Sequence, residues 1–456
     1  MGLDLSLQVT ESGGRNKPDA PLVPERTYVT QVRLRRGWLG YREPETHEVL
    51  LDFTRRRRIN LDEGARTYVD ESMYSDVCFR HFELHNREHV RAVIAAGKGD
   101  TSDFEPVIME HQLSVLDKAR GRTLADAAAP RSTGLGGLLR SAFSGPKKSG
   151  DITVKSEAER TVYAAAEGRP LFAYSDDGTR VEPDLGRHFV QFLRYRYHGH
   201  PLILERLASA GHLPREIQYS AKEMRGWPRS TVTLRLQSAN VVPDSGIPLD
   251  GYRRVVRGGP GLPDDATLER VTLGAAPDGT QVRQRRQLEA KESVDAGRML
   301  ESVLAYFELT LQTGEAVPGL GEAIQSIPDA DVRRFREVMS RPPSDKASAS
   351  AMAPALVELR AAAGHHAHVL KSFEAGARRA LNEPQEARAL LLDVLKANPF
   401  FTGAYKDLGD LFVADWDMGA AWRCWDAAKN IAPGHHLLND VSAMEEMLAA
   451  EHPEYF

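Results

Sequence analysis

Apolar and polar residues alternate from the first positions of the chain. Leu3, Leu5, Leu7 and Val9 keep a period of two, which predicts a half-buried strand. A loop rich in Gly, Asn, Lys and Pro follows at Ser12–Pro18. Tyr28, Val32 and Leu34 lie in a second β-rich run that ends near Gly37. His47–Phe53 and Arg57–Leu61 come next, joined by Thr54-Arg55-Arg56, and Ala65–Val69 follows the turn Asp62-Glu63-Gly64. Short runs divided by turn residues predict an antiparallel meander.

The pattern then changes. Phe82, His89, Val90, Val93 and Ile94 share one helical face within Asp76–Ala96, and Gly97 and Gly99 stop the helix. A second helix is expected at Glu110–Arg120, and residues 121–150 read as a mobile Ala/Gly/Ser/Pro-rich insertion. Strands resume at Ile152–Val154, Thr161–Ala164 and Leu171–Tyr174. His188–Tyr197 and Pro201–Ala210 are helical in pattern, and Glu216–Ser220 and Thr231–Leu236 alternate again. Residues 257–285 are rich in Gly, Pro and Asp and predict an outer loop or linker. From about Glu289 the period is 3.6, with a strong helix at Ala296–Thr313, a shorter one at Val332–Met339 and a linker at Arg341–Lys346.

The C-terminal stretch carries an internal repeat of period 34: Ala387, Leu391, Val394 and Pro399 recur as Ala421, Trp425, Ala428 and Pro433. Tyr405, Leu408, Gly409 and Phe412 fall between them on one helix. This spacing resembles the tetratricopeptide repeat family. Gly409 and Ala421 would let paired helices approach, Trp425 would fill the gap, and Pro433 would end the helix. The resemblance implies helical hairpins, a closing helix at Leu437–Ala450, and a partner-docking surface for which Tyr405, Asp407 and Phe412 are the candidates.

Residues 3–253 resemble the half-barrel of periplasmic outer-membrane lipoprotein carriers. Three features carry this. The strands Tyr28–Arg36, Val49–Phe53 and Arg57–Leu61 lead to Thr67-Tyr68. Leu213-Pro214-Arg215-Glu216-Ile217 precedes Thr231-Val232-Thr233-Leu234. Ile247-Pro248-Leu249-Asp250-Gly251-Tyr252 is similar to a Phe-x-x-Pro-x-Gly-Tyr closure, although Pro248 stands before Leu249 and the Phe is missing. The family implies a curved antiparallel sheet closed by helices over an apolar cavity. Desolvation alone would hold an acyl chain there, at ~0.8 kcal/mol per buried CH₂. The candidate lining residues are Trp38, Phe53, Tyr68, Phe172 and Phe189.

Composition narrows the function classes. The chain has 456 residues, with 59 Lys+Arg against 64 Asp+Glu and a net charge of −5, so no global field favours nucleic acid or membranes. Two cysteines, Cys78 and Cys424, exclude a disulfide framework and a four-cysteine zinc site. No Walker A loop, Gly-x-Ser-x-Gly, His-Glu-x-x-His or strand-linked Gly-x-Gly-x-x-Gly is present. Arg55-Arg56-Arg57-Arg58 reads either as a solvated face or as a local site for an anionic headgroup, polysaccharide or acidic partner. His81, His85 and His89 form a row at i, i+4 and i+8. The row spans ~12 Å on a helix, too far for all three to reach one ion. The absence of a basic, apolar leader before Leu3 fits either a cytoplasmic chain or a mature periplasmic one.

The expectation is an α+β protein with three parts. Residues 1–285 form a lipoprotein-carrier-like half-barrel, 286–345 a helical connector and 346–456 a tetratricopeptide-like domain. It is expected to be a non-enzymatic bacterial envelope protein without cofactor or metal. It would bind a lipid or other hydrophobic ligand in the half-barrel and a protein through the repeats, with peripheral membrane contact and no nucleic acid. Two alternatives stand beside it: an interaction scaffold without ligand, and a metal-dependent enzyme using His81, His85 and His89.

Overall fold

The alternation at the N-terminus becomes strand β1 (Gly2–Ser12), whose odd-numbered Leu3, Leu5, Leu7 and Val9 are all buried. In a computed structural model of the chain, the described residues are 1–12, 24–95, 152–157, 159–165, 170–197, 201–221, 230–341, 343 and 345–456. The expected helix at Glu110–Arg120 and the expected insertion at 121–150 lie outside them. The protein is α+β. Two compact units divide it: Met1–Tyr68, Val77–Arg253 and Leu448–Phe456 form the first, Val69–Asp76 and Arg254–Met447 the second. Residues 254–345 lie in the second unit, and the last nine residues belong to the first.

Most of the first unit is a curved sheet. Its strands after β1 are β2 (Arg26–Leu34), β3 (Trp38–Arg42), β4 (Glu48–Asp52), β5 (Arg57–Asp62), β6 (Thr67–Ser72), β7 (Ile152–Glu157), β8 (Arg160–Ala165) and β9 (Pro170–Ser175). A two-stranded ribbon, β10 (Gly178–Arg180) with β11 (His212–Pro214), stands apart. Strands β12 (Glu216–Ala221) and β13 (Ser230–Val242) complete the set; β14 (Arg253–Val255) and β6 lie mostly in the second unit. Within the first unit the order is β5-β4-β3-β2-β1-β13-β12-β9-β8-β7, so strands distant in sequence meet at β1 and β13. Strand β3 begins directly after the Arg-Arg-Gly of residues 35–37, and its short Trp-Leu-Gly-Tyr run has no alternation to announce it.

Because successive side chains point to opposite faces, register assigns each residue a side. Leu5 lies opposite Val32, Val9 opposite Leu234, Leu34 opposite Leu39 and Leu39 opposite Leu51. This face is covered by helix α2 (Pro183–Tyr197), which follows α1 (Met73–Ala95) among the described helices and precedes α3 (Pro201–Ala208). Phe192 of α2 meets Tyr41 edge-on at 5.4 Å, and Tyr197 stacks on Tyr219 at 6.1 Å. On the other face, Trp38, Leu50, Ile59 and Leu61 are covered by Tyr68, Ile247, Leu249 and Tyr252. Both faces of β3–β5 are therefore packed with the protein's own side chains.

The second unit is helical: α4 (Asp265–Leu273), α5 (Gly279–Asp295), α6 (Met299–Thr313), α7 (Leu320–Ser326), α8 (Ala330–Met339), α9 (Lys346–Leu359), α10 (Ala367–Ala380), α11 (Pro384–Ala397), α12 (Thr402–Ala414), α13 (Met418–Ile431) and α14 (Asn439–Glu451), the last running on into the first unit. Helices α4 and α5 occupy the stretch expected as loop. Asp264 and Asp278 cap them by accepting backbone N–H bonds at Thr267 and at Thr280 and Gln281. Helix α5 buries only Ala290 and Ser293, so no apolar stripe marked it. From α10 onward the helices pack as the hairpins α10/α11 and α12/α13. At the second, a Cβ on Gly409 would come within 2.3 Å of Trp425 Nε1, so the approach of α12 and α13 depends on glycine. None of the described helices is long and apolar enough to cross a membrane.

Candidate functional site

The five expected ligand-lining residues do not share one cavity. Trp38 lies in the cluster that Tyr68, Ile247 and Leu249 cover, and its indole donates to the Ser245 carbonyl at 2.8 Å. Phe53 stacks on His188 at 4.9 Å, while Phe172 meets Tyr219 edge-on at 4.7 Å. Phe189 is buried on α2 beside Phe192. In the second unit, Tyr405 and Phe412 are buried in the helix packing. Asp407 alone of the three partner candidates reaches the surface, 3.9 Å from Arg379. Arg55, Arg56, Arg57 and Arg58 all have partners within the protein; the Arg56 guanidinium lies over the Phe456 ring at 5.1 Å.

A cleft of about 360 Å³ does open in the first unit. One wall is α2, from Asp184 to Arg194; the others are Arg36, Glu205 and Ala208, and the segment Pro453–Phe456. Pro183 sets the first turn of α2 and Asp184 supplies its acidic start, while the repeated i, i+3, i+4 spacing of Arg187, Gln191 and Arg194 lines them along one face. The wall mixes charge with apolar surface from Val190, Ala208, Pro453 and Phe456.

The charges of the cleft differ in how they are satisfied. Arg187 is paired with Asp184. Arg194 is 4% exposed, and its guanidinium lies over the Tyr455 ring at 5.3 Å, but its Nε has no hydrogen-bond partner. Gln191 donates to the Phe456 carbonyl at 3.0 Å, and its Oε1 is likewise without a partner. Burial pushes Glu454 up, yet the net shift is downward because His452 and Arg194 favour its carboxylate. His188 shifts down through burial, partly opposed by its bond to the Arg35 carbonyl at 2.5 Å. At neutral pH it is an uncharged wall. A second cleft, about 430 Å³, lies along Gln8, Arg160, Arg215, Glu216 and Arg235. There Glu216 pairs with Arg160 at 3.1 Å and Arg235 at 2.8 Å, so its charges already neutralise one another.

The histidine row separates. His89 is exposed and His85 turns back, its Nδ1 bonded to the His81 carbonyl at 2.9 Å. His81 instead meets His452, from the far end of the chain, with Nδ1 and Nε2 3.0 Å apart. Burial, with neighbouring His85 and His452, pushes His81 down to about 4. Glu451 joins this pair. Nothing local in the sequence signalled the meeting, since 371 positions separate the two histidines.

Glu308 and both cysteines are buried in the described residues. Glu308 accepts from His366 at 2.6 Å and from Asn398 at 2.7 Å, and lies 2.5 Å from Arg286 and 3.1 Å from His368. It is 0% exposed, so no substrate reaches it. Cys78 is buried and its thiol is pushed up to about 12 by desolvation; burial also drives Cys424 upward. Neither is a ready thiolate. Comparison with models of known families and with curated proteins found no match to the chain.

Proposed function

We propose that the protein is a non-enzymatic binding protein of the bacterial envelope, taking an amphipathic ligand in the first unit and a protein partner through the helical hairpins of the second. The envelope setting rests on the resemblance to lipoprotein carriers. The ligand places an oxygen-rich head in the cleft between α2 and Pro453–Phe456, and an apolar portion against Val190, Ala208 and Phe456. The observation that supports this most is the cleft lining, where Arg194 and Gln191 stand beside the apolar side chains of Val190, Ala208 and Phe456. A volume of about 360 Å³ suits a headgroup rather than whole acyl chains.

Native mass spectrometry on freshly purified full chain tests this. A discrete adduct that extracts into organic solvent, and that Arg194→Met reduces at least about tenfold, is the expected result. A bare-chain mass, together with no binding of a short-chain anionic phospholipid below its micelle concentration, would overturn it. That outcome would favour the second reading, a protein-interaction scaffold, which the packing of Trp38, Phe172 and Phe189 into solid core supports.

A further inference from the structure

We propose that His81, His452 and Glu451 form a binding site for a divalent transition ion of the zinc class. His81 Nδ1 lies 3.0 Å from His452 Nε2 and 3.4 Å from Glu451 Oε2, and one ligand atom from each residue lies within 4.8 Å of the others. Two ligands held ~2.0–2.1 Å from one tetrahedral ion stand roughly 3.3 Å apart, so these separations match an ion seated between them. Two imidazoles and a carboxylate are a donor set that zinc accepts, with a fourth position left for water or another ligand.

The surroundings fit the same role. His452 is 1% exposed, and its Nδ1, which has no hydrogen-bond partner, lies 3.8 Å from Glu454 Oε1. A ligating imidazole commonly directs its second nitrogen at a carboxylate, which holds the ring and raises its basicity. His85 bonds the His81 carbonyl and packs on its ring at 4.2 Å, fixing the other imidazole. The Glu451 side chain is 41% exposed and gives the ion a route from solvent.

Without metal the two imidazoles share one proton in their 3.0 Å contact. Binding needs a lone pair on both nitrogens. The shared proton therefore moves to the other nitrogen of whichever ring donates it: His452 Nδ1, facing Glu454, or His81 Nε2. No proton need leave the protein, and no redox partner is involved. This site is independent of the ligand cleft reading, which it would leave standing if it failed.

The test uses full chain stripped with a chelator and titrated with Zn²⁺ alone. One equivalent should be retained through gel filtration, measured as zinc per chain. Glu451→Gln, at an exposed position, and Glu454→Gln should each weaken binding about 10- to 100-fold. His452→Gln should abolish it, and His89→Ala should change nothing. Co²⁺ loaded into the unmutated protein should give the intense visible bands of a tetrahedral site, a readout that does not depend on any variant folding. Substoichiometric zinc in the unmutated chain, octahedral cobalt bands, or equal retention by Glu451→Gln and His452→Gln would overturn the assignment.

Discussion

Glu308 has four polar partners on separate pieces of the second unit: Arg286 on α5, His366 before α10, His368 on α10, and Asn398 between α11 and α12. Desolvation would raise its carboxyl, but the bonds from His366 and His368 and the charge of Arg286 hold it well below the ordinary carboxylate range. Removing the charge leaves the half-buried Arg286 with Glu289 as its remaining carboxylate and takes the acceptor charge from His366 and His368. Glu308→Gln should therefore destabilise the protein by about 3–5 kcal/mol, read from urea unfolding. The sign with pH follows. A depressed folded pKa means that the stabilisation is complete above the unfolded value, about 4.3, and is lost as pH falls below it. The unfolding midpoint of the unmutated chain should fall with acidification from about pH 4.5 downward, and more steeply than that of Glu308→Gln. Parallel curves would remove Glu308 from the acid response. In the sequence this residue is one polar position on an apolar helix. Its partners lie 22 residues before it and from 58 to 90 residues after it, so pairing could not be read.

Among elements, the α12/α13 hairpin is where pattern and packing agree most closely. The spacing of Gly409, Ala421 and Trp425 predicted a close helix crossing, and all three sit in it: Ala421 and Trp425 are buried, and the Trp425 indole donates to the Lys406 carbonyl at 3.3 Å. Gly409→Ala should cost about 1–3 kcal/mol by overpacking, measured as a shift in the unfolding midpoint. An unchanged midpoint would mean that the helices separate freely. Strand β1 was equally legible, because one face is buried and the other half-exposed along its length. Helix α5 and strand β3 were not. The first is polar on nearly all sides, and the second is buried on both faces, so neither shows the periodicity of its class.

For the whole molecule, the contribution of the last nine residues to the first unit is the feature with most consequence. Tyr455 packs edge-on against Tyr195 at 5.5 Å, its carbonyl accepts the Tyr195 hydroxyl at 3.2 Å, and Arg194 covers its ring. Tyr455→Ala should lower the stability of the first unit by about 3 kcal/mol, visible in thermal unfolding followed by near-ultraviolet circular dichroism. If the transition does not move, the segment is an adornment and both the cleft and the His81–His452 contact lose their support.

The sequence by itself determined the class of each half. Period two with turn residues specifies strands, period 3.6 with Gly and Ala at fixed positions specifies paired helices, and these are local properties that survive without knowledge of the fold. Which side chains meet is a different matter. The strand order joins β1 to β13, more than 200 positions apart, and Leu448–Phe456 belongs to the same unit as α1 and α2. Of the aromatic residues expected around a cavity, Trp38, Phe172 and Phe189 are buried and Phe53 and Tyr68 half-buried, each against different neighbours. The arginine cleft and the His81–Glu451–His452 group exist only through such long-range contacts, and no local period encodes them.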